Sequence, residues 1–257
     1  LMVWQKDMST TYNIADLEGI WQFHSLETGT DGNWSHGTIT YDNAGNGTIN
    51  GESNGGNTFS ANLVSQLNTT GIFTTTGFDD MHGFMSADKQ SLTFTMSSES
   101  GKYSIFLMQK QTETVYDQLD LAGLWKINSL IADNLHDSQP FSAWMRADAA
   151  IDANGNTQLS NVSVNGQIQQ NKMSTNITLD GSGFLGGFGN DDSHGFLSPD
   201  KSIGFITGTD GSGGYSLYIM QRDLTKTGDF GLQIQFADEN TGWASIYNMS
   251  HSSFKMY

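Results

Sequence analysis

The residues best suited to chemistry fall in two short clusters of the same make-up, Asp79-Asp80-Met81-His82 and Asp191-Asp192-Ser193-His194. Carboxylate oxygens suit Ca²⁺ or Mg²⁺, and an adjacent imidazole extends the choice to Zn²⁺ or Cu²⁺. Asp79, Asp80, His82, Asp191, Asp192 and His194 are therefore the candidate metal ligands. The competing reading is a polar turn whose Asp side chains cap backbone groups, with the His opening a strand. Asp42 to Gly47 and Asp152 to Asn156 have the look of Ca²⁺ loops. They lack the later Glu of an EF-hand and read as hairpin turns. The expectation is no cofactor, with Ca²⁺ the cation such turns would take.

Patterns for catalysis are missing from the chain. No Gly-x-Ser-x-Gly elbow joins a strand to a helix, and Gly211-Ser212-Gly213 reads as a turn. No phosphate-binding Gly loop precedes a helix. Without cysteine there is no thiolate nucleophile or thiolate metal site. His24, His36, His136 and His251 have no matching partners elsewhere in the chain, and a lone His is more often structural. The chain is expected not to be an enzyme. Trp4, Trp34, Trp144 and Trp243 fall near turns or on peripheral strands, where Trp serves interfaces, sugar stacking or core packing.

These residues sit in a duplicated frame. Asp16-Leu17-Glu18-Gly19-Ile20-Trp21 returns as Asp120-Leu121-Ala122-Gly123-Leu124-Trp125. His82-Gly83-Phe84-Met85-Ser86-Ala87-Asp88-Lys89 returns as His194-Gly195-Phe196-Leu197-Ser198-Pro199-Asp200-Lys201. Tyr103 to Lys110 returns as Tyr215 to Arg222, in the same order. Repeats in fixed order indicate one structural unit used twice. Within each unit, short β-branched and aromatic runs alternate inward and outward, as in Leu92-Thr93-Phe94-Thr95-Met96. Gly, Asn and Asp punctuate them as turns. In the first unit the runs predict strands at 19–25, 37–41, 47–52, 58–65, 71–76, 83–85, 91–96 and 103–110.

The expected fold is all-β, with two tandem antiparallel meander barrels (or sandwiches) and extra terminal strands. The units span 15–112 and 113–227. Residues 1–14 match a closing strand and linker, and 228–257 resemble the opening strands of a further unit. Leu1, Val3 and Trp4, with Ile234, Phe236 and Trp243, are the candidate assembly residues. The first strand has four possible placements. It belongs to a longer array, pairs with the C-terminal strands, pairs with a neighbouring molecule, or is an edge strand of the first unit.

Composition limits the partners. Among 257 residues the net charge is −16, and only 15% of residues are charged. A nucleic-acid binder needs a basic footprint, which this chain lacks. No apolar run reaches the ~20 residues of a spanning helix. The uncharged polar surface fits a secreted or cell-surface protein, bacterial in character, and the terminal strands point to self-association.

The Gly-x-Trp openings, Gly19-Ile20-Trp21 and Gly123-Leu124-Trp125, resemble the first strand of lipocalins. The hairpin from Gly37 to Ser53 looks like an early avidin hairpin. The paired Asp-Leu-x-Gly-x-Trp and His-Gly-x-x-Ser-x-Asp-Lys motifs resemble uncharacterised secreted bacterial repeat domains, which bring no known activity. The lipocalin and avidin likeness implies a barrel with Trp21 and Trp125 inside and a small ligand in its mouth. Two functions are carried forward. One is a non-catalytic extracellular structural or assembly protein, a fibre or surface subunit joined by strand complementation. The other is a small-ligand or carbohydrate-binding protein of lipocalin or avidin type.

Overall fold

The computed structural model describes residues 2–4, 10–28, 32–78, 80–97, 102–132, 143–170, 173–188, 192–209, 214–223, 233–238 and 242–246. After β1 (Met2–Trp4), a short 3-10 turn at Ile14–Leu17 leads into eight strands. These are β2 (Gly19–Thr28), β3 (Asn33–Tyr41), β4 (Asn46–Ser53), β5 (Asn57–Leu67), β6 (Ile72–Thr75), β7 (His82–Met85), β8 (Ser91–Ser97) and β9 (Tyr103–Lys110). They pair antiparallel in sequence order, and β9 returns to β2, closing a barrel. All eight strands expected from the alternation are present.

A second 3-10 turn, Gln118–Leu121, opens the second unit. It contains β10 (Gly123–Ala132), β11 (Ala143–Ile151), β12 (Asn156–Val164), β13 (Gln167–Ile168), β14 (Met173–Asn176), β15 (Thr178–Leu179), β16 (Phe184–Gly186), β17 (Ser193–Leu197), β18 (Ile203–Thr209) and β19 (Tyr215–Arg222). Its sheet runs β13-β12-β11-β10-β19-β18-β17-β16-β15, with β14 also on β12. Only Ile177 separates β14 from β15, and its N–H donates to Gly155 O at 2.9 Å. The two ends of the sheet thus meet at one kinked strand, as β5 pairs first with β4 and then with β6.

The repeated motifs meet at one end of each unit. Trp21 Nε1 donates to Leu17 O, and Trp125 Nε1 to Leu121 O, each at 2.7 Å. Lys89 pairs with Asp16 at 2.8 Å, and Lys201 with Asp120 at 2.7 Å. Lys110 lies over the Trp21 ring and Arg222 over the Trp125 ring. Arg222 also donates to the Asp120 carbonyl. The recurring Trp, Asp and Lys form a lid that shuts this end, because an indole N–H buried in a barrel needs an acceptor.

The inward faces form two apolar cores. One is built around Trp21, Phe23, Phe73 and Met108, the other around Trp125, Ile127, Leu185 and Met220. A third core joins outward faces of both units. Leu26, Trp34, Ile105 and Leu107 of the first pack with Leu130, Phe205, Leu217 and Ile219 of the second. Trp34 Nε1 donates to Thr209 Oγ1 at 2.7 Å, and Asn54 Nδ2 to the Tyr215 hydroxyl at 2.8 Å.

The terminal strands form a separate three-stranded sheet. β1 pairs with β20 (Gln233–Asp238), Val3 opposite Ile234, and β20 pairs with β21 (Gly242–Ile246), Phe236 opposite Ala244. Trp243 lies opposite Ala237. Of the placements open to the N-terminal strand, the structure shows pairing with the C-terminal strands of its own chain. Leu1 lies outside the described residues.

Candidate functional site

Inside a barrel, residues directly opposite on neighbouring strands share a face, so rows of them form its inner wall. In the first barrel the lowest row is Trp21, Ile39, Ile49 and Ala61. Above it lie Phe23, Gly37, Gly51 and Phe59. The next row is Ser25, Ser35 and Ser53, continued across β9 and β8 by Phe106 and Phe94. The top row places Glu27 opposite Ser104, with Met96 beyond it.

This upper half pairs an aromatic wall with a hydroxyl wall. Phe94 and Phe106 stack at 4.5 Å, and Phe23 lies 6.0 Å from Phe106 and 6.3 Å from Phe59. Gly51 must be glycine, since a Cβ there would come within 2.5 Å of the Phe59 ring and 2.9 Å of the Phe23 ring. The Ser25 and Ser35 hydroxyls are 2.6 Å apart. At the top, Glu27 accepts from Lys102 Nζ at 3.0 Å and Ser104 Oγ at 3.3 Å.

Solvent reaches this wall on its β5 side, where Phe59 is exposed, while Phe23, Phe94 and Ser25 are buried. β5 is exposed on both faces from 57 to 62, so its inward side is not covered. β4 pairs with residues 57 to 64 of β5, whereas β6 pairs only with 65 to 67. The upper half of β5 therefore has one partnered edge, and Phe59 keeps 38% of its surface exposed while lying against Phe23.

The second barrel fills the same space. Ser129, equivalent to Ser25, faces Met145, which in turn faces Val164. Met145, Val162 and Phe188 are 8%, 1% and 7% exposed, and Phe188 lies 4.4 Å from Tyr218. Ile131 stands where Glu27 does, opposite Ser216 as Glu27 is opposite Ser104. The two serines remain in the second barrel, yet Ser129 Oγ and Ser216 Oγ are buried without a hydrogen-bond partner. The Ser25 and Ser104 hydroxyls are partnered in the first barrel, and their equivalents Ser129 and Ser216 are not in the second.

Among the described residues the metal candidates form no group of three or more. Asp79 and Asp191 lie outside the described residues. Asp80 accepts from Ser97 Oγ at 3.1 Å, and His82 is exposed on β7. Asp192 and His194 lie 3.4 Å apart. Among the described residues no group of three or more His, Asp or Glu is placed to hold a metal ion. Trp21 and Trp125 are inside the barrels as expected, 0% and 1% exposed, where they form the floor of the closed ends.

Sequence reasoning missed a histidine cluster between the barrels. His36 stacks on His194 at 4.1 Å, and His24 lies 6.1 Å from His36. Trp34 flanks both His36 and His194, at 5.6 and 5.2 Å. His24 Nδ1 is 3.1 Å from Thr207 Oγ1, while His36 Nε2 is buried without a partner. Burial, then the neighbouring His36 and His194, push His24 down to about 3. Burial and His194 push His36 down to about 4, with Asp192 opposing. The His24 and His36 imidazoles are neutral at pH 7 and point out of the first barrel.

No family model matches the chain, and no curated protein does. Among solved structures it is similar to a Nostoc punctiforme protein of unknown function from the DUF3598 family. That likeness is 9% identical at a TM-score of 0.30, covering 83% of this chain and 100% of the other. It is also similar to kievitone hydratase from Nectria haematococca, 8% identical at a TM-score of 0.19, covering 86% of this chain and 96% of that one. Likeness this distant leaves function to the residues of the chain itself. Among the described residues no helix is long and apolar enough to cross a membrane.

Proposed function

We propose that this chain is a non-catalytic binding protein that holds a small, mostly apolar molecule in the open upper end of its first barrel. The observation that carries this reading is the contrast between equivalent rows. Small Ser25, Ser35 and Ser53 line one barrel where the bulkier Met145 and Val164 face Ser129 in the other. Apolar walls with a few placed polar groups are the usual make-up of small-molecule sites, and barrel mouths are a usual place for them. Catalysis has no support in the cup. Its serines have no imidazole beside them among the described residues, since His24 and His36 project from the opposite face of the same strands. Pairing of β1 with β20 of the same chain favours this reading over strand complementation. An extracellular setting remains part of this proposal, from the acidic, cysteine-free composition.

The test is fluorescence titration with N-phenyl-1-naphthylamine, a neutral apolar probe that brightens out of water. The wild type should bind one probe per chain. Ser35→Met, which copies the plug of the second barrel, should weaken binding at least tenfold and leave near-UV circular dichroism unchanged. Absence of binding by the wild type, or full binding by a folded Ser35→Met protein, refutes the reading.

A further inference from the structure

Resting on that reading, we infer that the molecule held in the first barrel is an uncharged aromatic compound carrying a hydroxyl group. The shape of the cup sets the first half of this description. Phe23, Phe59, Phe94 and Phe106 present ring faces and edges at centroid spacings of 4.5 to 6.3 Å. Rings at such spacings favour another flat ring, placed offset or edge-on, over a branched aliphatic group.

The polar groups set the second half. Glu27 and Lys102 neutralise each other at 3.0 Å, and Ser104 takes a further position on the carboxylate. A charged head would have to separate this pair and strand one ion in a half-buried mouth, which costs more than it returns. The Ser25 and Ser35 hydroxyls, one row below, need not be disrupted by a neutral partner. Each hydroxyl has one donor and two acceptor lone pairs, so their mutual bond leaves capacity to donate to and accept from a third hydroxyl. A hydroxyl is the head group that uses both capacities at once.

The orphaned serines of the second barrel bear on the same point. Where Met145 replaces Ser35 and Ile131 replaces Glu27, Ser129 and Ser216 have no partner. The partnered serines of the first barrel are thus the arrangement able to take up a polar head group.

The experiment is competition against bound N-phenyl-1-naphthylamine at neutral pH. The four competitors share one ring system: 2-naphthol, naphthalene, 2-naphthoate and 2-naphthylmethylammonium. We expect 2-naphthol to displace the probe at about tenfold lower concentration than any other, one net hydrogen bond's worth. In the Ser25→Ala/Ser35→Ala protein, 2-naphthol should lose its advantage over naphthalene, whatever the variant's affinity for the probe. If the probe binds but 2-naphthoate or the ammonium competes best, the assignment of an uncharged ligand is overturned. If the 2-naphthol preference survives in the double variant, the role of the serines is overturned. If the probe does not bind the wild type at all, the cup itself is no binding site and both conclusions fall.

Discussion

Lowering the pH from 7 to 5 should loosen the contact between the barrels through His24 and His36. Both are held below their ordinary value of 6.5 by burial, His24 to about 3 and His36 to about 4. In the unfolded chain they take up protons below about pH 6.5, and in the folded chain they do not. The unfolded state therefore binds more protons in this range, and stability falls as pH falls. The contribution is complete above 6.5 and is lost progressively down to the folded values. At pH 5, His24 contributes a loss of about 2 kcal/mol at 1.36 kcal/mol per unit. His36 retains some contact with solvent, and screening reduces its share to about 1 kcal/mol. The sum is about 3 kcal/mol. Carboxylates do not confuse this window. Burial raises Asp16 and Asp120, but the hydrogen bonds from Lys89 and Lys201, those from the Asn13 and Asp117 backbone and the nearby positive charges together outweigh it and leave both below 3.8. Urea unfolding followed by tryptophan fluorescence reads the effect, since Trp34 lies 5.6 Å from His36. The wild type should lose its 3 kcal/mol between pH 7 and 5, and His24→Gln/His36→Gln should lose under 1 kcal/mol, both about as stated. An equal loss in the two proteins would show that the histidines do not couple barrel contact to protons.

Two further outcomes follow from the lids and turns. Lys89→Met and Lys201→Met each remove a partly exposed ion pair with Asp16 or Asp120, and each should cost about 1 kcal/mol in thermal or urea unfolding; a cost above about 3 kcal/mol would mean these lysines do more than pair. Gly155 and Gly77 both have positive φ, 82° and 88°, but a Cβ at Gly155 would lie 2.0 Å from Ile177 O while Gly77 has open space. Gly77→Ala should cost about 1–2 kcal/mol from backbone strain alone, Gly155→Ala about 1–3 kcal/mol more, and equal unfolding midpoints would refute the close approach.

The amino-acid sequence alone determined the local structure. Alternation located the eight strands of the first barrel, because a strand with one buried face must alternate. The Asp-Asn-Gly turns also follow from local chemistry. Asp42 accepts from the backbone of Ala44 and Asn46, and Asp152 does the same for Asn154 and Asn156. The Trp of each Gly-x-Trp start was legible as a barrel residue, since its repetition marks an equivalent place in each unit. The partners of those motifs were not. Asp16 and Lys89 are brought together by closure of the sheet, so their pairing is invisible in either motif. Which barrel carries the row of serines was also hidden. Ser25, Ser35 and Ser53 are ordinary in a chain rich in serine, and become a wall only when register sets them side by side. His36 and His194 were read as unrelated because they come from different units and meet only where outward faces pack. Strand identity is set by neighbours along the chain, whereas a site is set by neighbours across strands and between barrels, and only the tertiary structure supplies those.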